Sequence, residues 1–455
     1  MSEATQYDCS YSAFGSALAS AGAEVFGAGS FLDNSNTRKA ALLISHSLSL
    51  TGAPIALLGL AKALKGLGLL PAMLSYEDGP LREEVVAVGV PVVVLAHERA
   101  LGLLADHAHA FMLVVANTVH GGGIVSALNG TDTPVLWWVH EANGYGRRRG
   151  WLLPQELHES VVVATPGEWA RQTLLRARPQ YEIRELLYGV EDRQPHVACE
   201  AEEGRSLTFA LVGTVSWRKG QDVLLRAAAS LGPEVACECR FVLVGEPVDA
   251  KFAKEVRREA ASLPNVTLVG PLGREAMLSF YDEVDCLVCA SRDDPMPVVV
   301  AEACQRGKLV VCSASTGSAA LLKEYGAGLV YGENDPGKLA DCIRRVLGSG
   351  SDELDDMRRN ARRLYEERFS ERVFEKSVAR LVEDVLSRDL ALDAEQEGMA
   401  RANRERALRT IRRHYRIRKS AGYRAARACY RFVRGVGSEV RCAFEFLHGG
   451  RGRHG

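Results

Sequence analysis

Short apolar runs alternate with longer amphipathic stretches through most of this chain. In the first half the runs are Ala41–Ser45, Pro71–Ser75, Pro91–Leu95, Phe111–Ala116, Pro134–Val139 and Val161–Ala164. In the second half they are Leu207–Val212, Arg240–Gly245, Val266–Val269, Val284–Ala290, Leu309–Cys312 and Gly328–Tyr331. Brief runs rich in Val and Leu, with no polar residue at every second place, predict strands covered on both faces. The stretches between them predict helices and loops. Strand and helix in alternation predict an α/β protein with parallel sheets sandwiched by helices.

The alternation breaks once. Residues 191–206 are polar and acidic and predict a linker between two doubly wound, Rossmann-like units, 39–190 and 207–388. The helical stretch 352–388 is expected to close the second unit and cross back to the first. Residues 1–38, rich in Ser, Ala and Gly, predict a loosely structured arm, and 389–455 a helical tail. In open α/β sheets ligands bind beyond the carboxyl ends of the strands, so two such units predict a cleft between them.

Composition narrows the class. The chain has 455 residues, 47% hydrophobic and 25% charged, as in soluble globular proteins. No apolar run reaches the ~18 residues of a membrane span. The start lacks a basic segment, so no signal peptide is expected. The eleven cysteines follow no framework spacing, which predicts a reduced, cytoplasmic protein. Cys286 and Cys289 fall inside a strand and are expected to be packed thiols rather than a metal pair. The net charge of -1 conceals a basic tail: residues 399–455 hold 16 Lys/Arg against 3 Asp/Glu. Tyrosines among those arginines favour contact with an anionic membrane surface, on its inner face, with a protein partner or a solvated helix face as the alternatives. Nucleic acid is not expected as a partner.

Candidate chemistry lies at predicted strand ends. Gly213 closes one strand, and Arg218, Lys219 and Gly220 open the next helix. Cations beside free backbone N–H groups at a helix start suit a diphosphate; a solvated Arg–Lys pair is the plain alternative. In Leu50–Pro54, Gly52 can adopt a positive φ and let the backbone approach a phosphate, with Ala53 beside it; a plain βα turn is the alternative. Pro54 suits the first helical turn. His140 ends another strand, where it can bond a sugar hydroxyl or serve as a core histidine. His120 is a second candidate near the same edge. Asp294 and Glu302 stand eight positions apart, with Pro295 and Pro297 after the first. A separation of up to about 12 Å along a helix suits two ends of a polyhydroxylated ligand, not one metal ion. No Asp-x-Asp clamp is evident, so no metal is expected.

Taken together these segments resemble the retaining glycosyltransferases of family 4, which have the GT-B fold. Asp294…Glu302 has the family's spacing of two acids, and Gly213…Lys219-Gly220 resembles its phosphate segment. Ser49–Pro54 and Trp137–Glu141 resemble its first loop and strand-end histidine. The resemblance covers about residues 40–385. It implies transfer of a sugar from a nucleotide-diphosphate sugar to a glycan, lipid-linked or small-molecule acceptor, without metal or other cofactor, in polysaccharide or glycoconjugate synthesis. Gly52, Ala53 and Gly213 would approach the donor phosphates, and Arg218 and Lys219 would neutralise the leaving diphosphate. Asp294 would bind sugar hydroxyls, and the backbone of Met296, Pro297 and Val298 would face the sugar and phosphates. Glu302 would hold the ribose, and His140 would sit near the reacting sugar. Three positions depart from the family pattern. Asp294 stands where glutamate is usual, Thr214 where arginine is usual, and Thr316-Gly317-Ser318 lacks the usual nearby glutamate. A nucleotide-sugar epimerase and a non-catalytic binding scaffold are the competing readings.

Overall fold

The computed structural model describes residues 13–27, 39–141, 153–192 and 206–388 except 333, with isolated positions beyond. The first sheet is built from β1 (Glu24–Phe26), β2 (Ala40–Ser45), β3 (Leu70–Ser75), β4 (Val92–Val94), β5 (Leu113–Asn117), β6 (Val135–Trp138), β7 (Val161–Thr165) and β8 (Ile183–Glu185). Their spatial order is β1-β4-β3-β2-β5-β6-β7-β8. All neighbours are parallel except β1, which runs antiparallel along β4. The second sheet holds β9 (Leu207–Val212), β10 (Cys239–Val244), β11 (Val266–Val269), β12 (Cys286–Cys289), β13 (Leu309–Ser313) and β14 (Leu329–Tyr331). Its order is β11-β10-β9-β12-β13-β14, and it is wholly parallel.

The arm expected over 1–38 is partly structured. Residues 13–20 form helix, and β1 edges the first sheet. Phe14 and Leu18 drive this, since both are fully buried, with Phe14 set edge-on against Phe111 at 4.9 Å. The predicted linker 191–206 lies almost wholly outside the described residues, as does the basic tail after 389. Among the described residues no helix is long and apolar enough to cross a membrane. Cys286 and Cys289 are buried within β12, and burial pushes the Cys286 thiol up.

The closing helices tie the halves together. Val190 donates its N–H to Phe369 O at 2.8 Å, and Tyr365 OH donates to Val190 O at 2.8 Å. Arg362 forks onto Asp192 (3.1 and 2.6 Å) and also bonds Gln305 O at 2.7 Å. The last helix, Glu371–Leu386, then returns to the first unit and packs on the helix Gly52–Gly66. Phe374 stacks on Trp138 with ring centres 6.0 Å apart. One apolar cluster therefore runs from Leu43 and Trp138 through Phe374 and Val378 to Val300 and Cys304. Such continuous burial fixes how the two sheets' carboxyl edges face each other.

Candidate functional site

The carboxyl ends of β9 and β12 bring the predicted cations and the first acid together. After β9 the chain turns at Gly213, makes a single 3-10 turn over Trp217–Lys219, and enters the helix Gln221–Ala229 through Gly220. Gly220 is left-handed (φ 72°), and a Cβ there would lie 2.0 Å from Ala290 O, so only glycine fits. The Lys219 stem passes over Gly213, near enough to touch a Cβ at 3.4 Å. Lys219 Nζ reaches Asp294 Oδ2 at 2.7 Å, and Arg218 Nη1 reaches the same oxygen at 3.3 Å. Arg218 also bonds Asp293 O at 2.9 Å.

Asp294 is only 5% exposed. Burial alone would push its carboxyl up, but Lys219 and then Arg218 outweigh this and hold it below the usual carboxylate range. The Met296 N–H donates to the same carboxylate. Asp294 N donates to Ser315 O (3.2 Å) and Gly317 N to Asp294 O (3.0 Å), so the acid's backbone is pinned to the loop after β13. The Met296 side chain does not open to the cleft. It is buried, accepts Ser318 Oγ–H at 3.2 Å, and lies where a Cβ on Gly167 of the first unit would clash. Trp169 of the same first-unit segment donates to Asp293 Oδ1 at 3.0 Å.

Pro297 occupies the N-cap position of the helix Val298–Gln305 and has no N–H to offer. The first-turn N–H groups of Val298 and Val299 are those that no intrahelical carbonyl reaches. Glu302 sits in the second turn, where Tyr281 OH donates to its Oε2 at 2.8 Å. Burial pushes the Tyr281 hydroxyl up and the Glu302 charge adds to this, so Tyr281 stays a donor.

On the first unit, Gly52 takes the plainer alternative. It begins the helix Gly52–Gly66 without a positive φ, and nothing lies within 4 Å of a Cβ there. Its smallness leaves an open surface rather than relieving a crowded one. Ala53 carries the anchoring contact: Asn117 Nδ2 donates to Ala53 O at 3.0 Å.

His140 is buried, and both ring nitrogens are engaged. Nε2 lies 2.7 Å from Asn117 Oδ1, and Nδ1 lies 2.7 Å from Tyr188 OH. Because Asn117 gives its amide hydrogens to Ala53, its Oδ1 accepts. His140 is then the Nε2–H tautomer and accepts from Tyr188. Burial, with His46 adding to it, lowers His140 to about 3, so the ring is neutral at ordinary pH. The histidine is thus the middle of a fixed chain from Tyr188 to the Gly52 helix, not an open donor. His120 is half-buried and stacks on His46 with centres 5.0 Å apart. Two residues before His120, Thr118 takes φ 63°, an uncommon conformation for a β-branched residue. It is held by Thr118 N to Trp138 O (2.7 Å) and Trp137 Nε1 to Thr118 O (2.8 Å).

Sequence reading missed Tyr188, Asn117, Tyr281 and Trp169. Asn117, at the end of β5, was findable from its place at a strand's carboxyl end. Tyr188 and Trp169 follow no pattern that marks them.

Comparison with known proteins agrees with this architecture. Residues 37–185 match the family described as "Glycosyl-transferase family 4", and residues 193–364 that described as "Glycosyl transferases group 1". A D-inositol 3-phosphate glycosyltransferase of Nocardioides sp. is 29% identical over 160 residues, 32% of this chain and 34% of the relative. The alpha-D-kanosaminyltransferase of Streptomyces kanamyceticus is 22% identical over 260 residues, 57% of this chain and 62% of the relative. The chain spans about a third of the length of the first curated relatives it matches. Among solved structures, Anabaena Alr3699/HepE in complex with UDP and glucose superposes with a TM-score of 0.65 at 16% identity, covering 76% of this chain and 99% of that one. WaaG, a glycosyltransferase involved in lipopolysaccharide biosynthesis, gives 0.57 at 14%, covering 76% and 100%. With both sheets matched in sequence and the whole two-sheet body matched in shape, the chain belongs to the family 4 glycosyltransferases and has their GT-B fold.

Proposed function

We propose that this protein transfers a sugar, with retention and without a metal, from a nucleotide-diphosphate sugar to a hydroxyl of a glycan, lipid-linked or small-molecule acceptor. The observation that carries this reading is the convergence of Lys219 and Arg218 on the buried Asp294 at the carboxyl ends of β9 and β12. Breaking a sugar–phosphate bond puts negative charge on the diphosphate. Two fixed cations beside a helix start stabilise that charge more in a water-poor cleft than in solution. Both cations face the single Asp294 carboxylate, which offsets one of their two charges. A bound diphosphate takes over their charge, and the released carboxylate, an acceptor only, takes sugar hydroxyls. Glu302, held by Tyr281, is placed to take the ribose hydroxyls. Retention follows when the leaving phosphate itself accepts the acceptor's proton, which asks for no protein base. The relatives whose names carry inositol phosphate and kanosamine support small polar hydroxyl compounds as reactants.

The test is a thermal-shift screen of nucleotide sugars on the parent, Glu302→Ala and Lys219→Ala. One donor should stabilise the parent and lose most of its effect in both variants. Equal stabilisation of all three means the site is misplaced. With that donor, the product's anomeric proton coupling should match the donor's configuration, in EDTA as in its absence. A free epimerised sugar formed without acceptor would instead indicate an epimerase. The reading includes a cytoplasmic enzyme whose segment 399–455 rests on anionic lipid. Vesicles containing phosphatidylserine should co-sediment the full chain at low salt but not a chain ending at 398; equal sedimentation removes that role.

A further inference from the structure

Both cations of the site ride on one short turn. Trp217–Lys219 is a single 3-10 turn, Trp217 is 59% exposed, and the Arg218 side chain is 48% exposed. A turn with so little buried surface needs something else to hold it. Arg292 supplies this. Its guanidinium forks onto Asp222, with Nη1 to Oδ1 at 2.8 Å and Nη2 to Oδ2 at 2.7 Å. Nη1 also donates to Trp217 O at 2.6 Å, and the Arg292 backbone N–H donates to Arg218 O at 2.8 Å. The guanidinium carbon lies 4.7 Å from the centre of the Trp217 ring. Asp222 is in the first turn of the following helix, so Arg292 grips the turn's beginning, its middle and the element after it. The side chains of Arg292 and Asp222 are 8% and 10% exposed, which makes the fork a shielded and geometrically demanding pair.

We propose that Arg292, through Asp222, is a positioning residue for the diphosphate cations: it fixes the Trp217–Gly220 turn to the segment that carries Asp294. Arg292 lies two residues before Asp294 on the chain leaving β12. The cations and the acid are thereby held on one rigid piece, and Lys219 meets the leaving group without a search. The Arg292 guanidinium is spent on Asp222 and Trp217 O. The inference rests on reading Arg218 and Lys219 as diphosphate ligands.

The test compares diphosphates with nucleosides by titration calorimetry. UDP, GDP and ADP are each measured beside uridine, guanosine and adenosine, on the parent, Lys219→Ala, Arg292→Lys and Asp222→Asn. Arg292→Lys keeps the charge and loses the fork. For the diphosphate that binds the parent, Arg292→Lys is expected to weaken binding about tenfold or more. The matching nucleoside should change by no more than about twofold. Asp222→Asn, which keeps side-chain shape and leaves Arg292 in place, should move the diphosphate in the same direction and answers the question if Arg292→Lys folds poorly. A merely structural role would weaken diphosphate and nucleoside by the same factor, and that result overturns the proposal. Loss in Lys219→Ala with parent-like diphosphate binding in Arg292→Lys overturns it while leaving the site reading intact. If Lys219→Ala binds the diphosphate as the parent does, or no diphosphate binds the parent, the site reading fails and the proposal with it.

Discussion

Lys219→Ala lowers donor turnover by about a hundredfold to a thousandfold, the usual effect of removing one preorganised group that stabilises developing charge. It also uncovers Asp294. In the parent, Lys219 and Arg218 hold that buried carboxyl below its ordinary value. A carboxyl whose folded value is depressed contributes stability that is fully present above the unfolded pKa of about 3.9 and is lost as pH falls through the folded value. Removing Lys219 takes away the strongest lowering influence while burial still raises the carboxyl, so its value is expected to rise above the ordinary one. The sign then reverses: the variant loses stability as pH rises past about 4, because the folded state must give up a proton it prefers to keep. The stability difference between parent and variant is therefore expected to widen as pH rises from below about 4, and to level off once the variant's raised carboxyl has ionised. It reaches up to about 3 kcal/mol in stability, as for breaking a buried pair from one side. Denaturant melts at a series of pH values check this. A constant difference would show that Asp294 does not depend on Lys219 for its charge.

Gly317→Ala is expected to cost much stability through a single added methyl. Its φ of -64° suits any residue, so the cost is contact and not backbone conformation. A Cβ there would lie 1.8 Å from Pro295 O and 2.8 Å from Pro295 C. The backbone has no easy retreat, because Gly317 N–H donates to Asp294 O and Asp294 N–H to Ser315 O. Relieving the overlap means parting the Asp294 segment from the loop after β13. We expect a loss of about 2–4 kcal/mol, together with weakened donor binding. Gly52→Ala is the control: nothing lies within 4 Å of its Cβ, and alanine is the better helix former, so its Tm should equal or exceed the parent's. Equal Tm for Gly317→Ala and Gly52→Ala would refute the close approach.

The same distinction explains what the sequence could reveal. Interior strands such as Leu113–Asn117 and Leu309–Ser313 are covered on both faces, so burial writes them as unbroken apolar runs. The edge strands Glu24–Phe26 and Ile183–Glu185 span three residues, partly exposed, and leave no such run. Asp294, Lys219 and Glu302 were legible because they stand where strands end and helices begin. Their connections were not. Lys219 and Asp294 are 75 residues apart, and only the parallel adjacency of β9 and β12 brings them to 2.7 Å. Gly52 shows the limit of residue type as evidence, since glycine permits a positive φ without requiring it and here is an ordinary first helical residue. His140 shows another limit. Its place at a strand end leaves a sugar-bonding and a core histidine equally open, and only the fold shows Asn117 and Tyr188 from neighbouring segments at both nitrogens. Met296 likewise sits at a donor-facing position in the chain but turns its side chain inward against Ser318 and Gly167.

The most direct measurement of the central claim is a crystal structure of the protein with the nucleotide-diphosphate sugar selected by the thermal-shift screen. The account predicts the diphosphate against the Gly213–Gly220 turn. Lys219 Nζ should have left its 2.7 Å contact with Asp294 for a phosphate oxygen, with the ribose on Glu302 and the sugar hydroxyls on Asp294. A nucleotide bound elsewhere, with the Lys219–Asp294 pair intact, would contradict it.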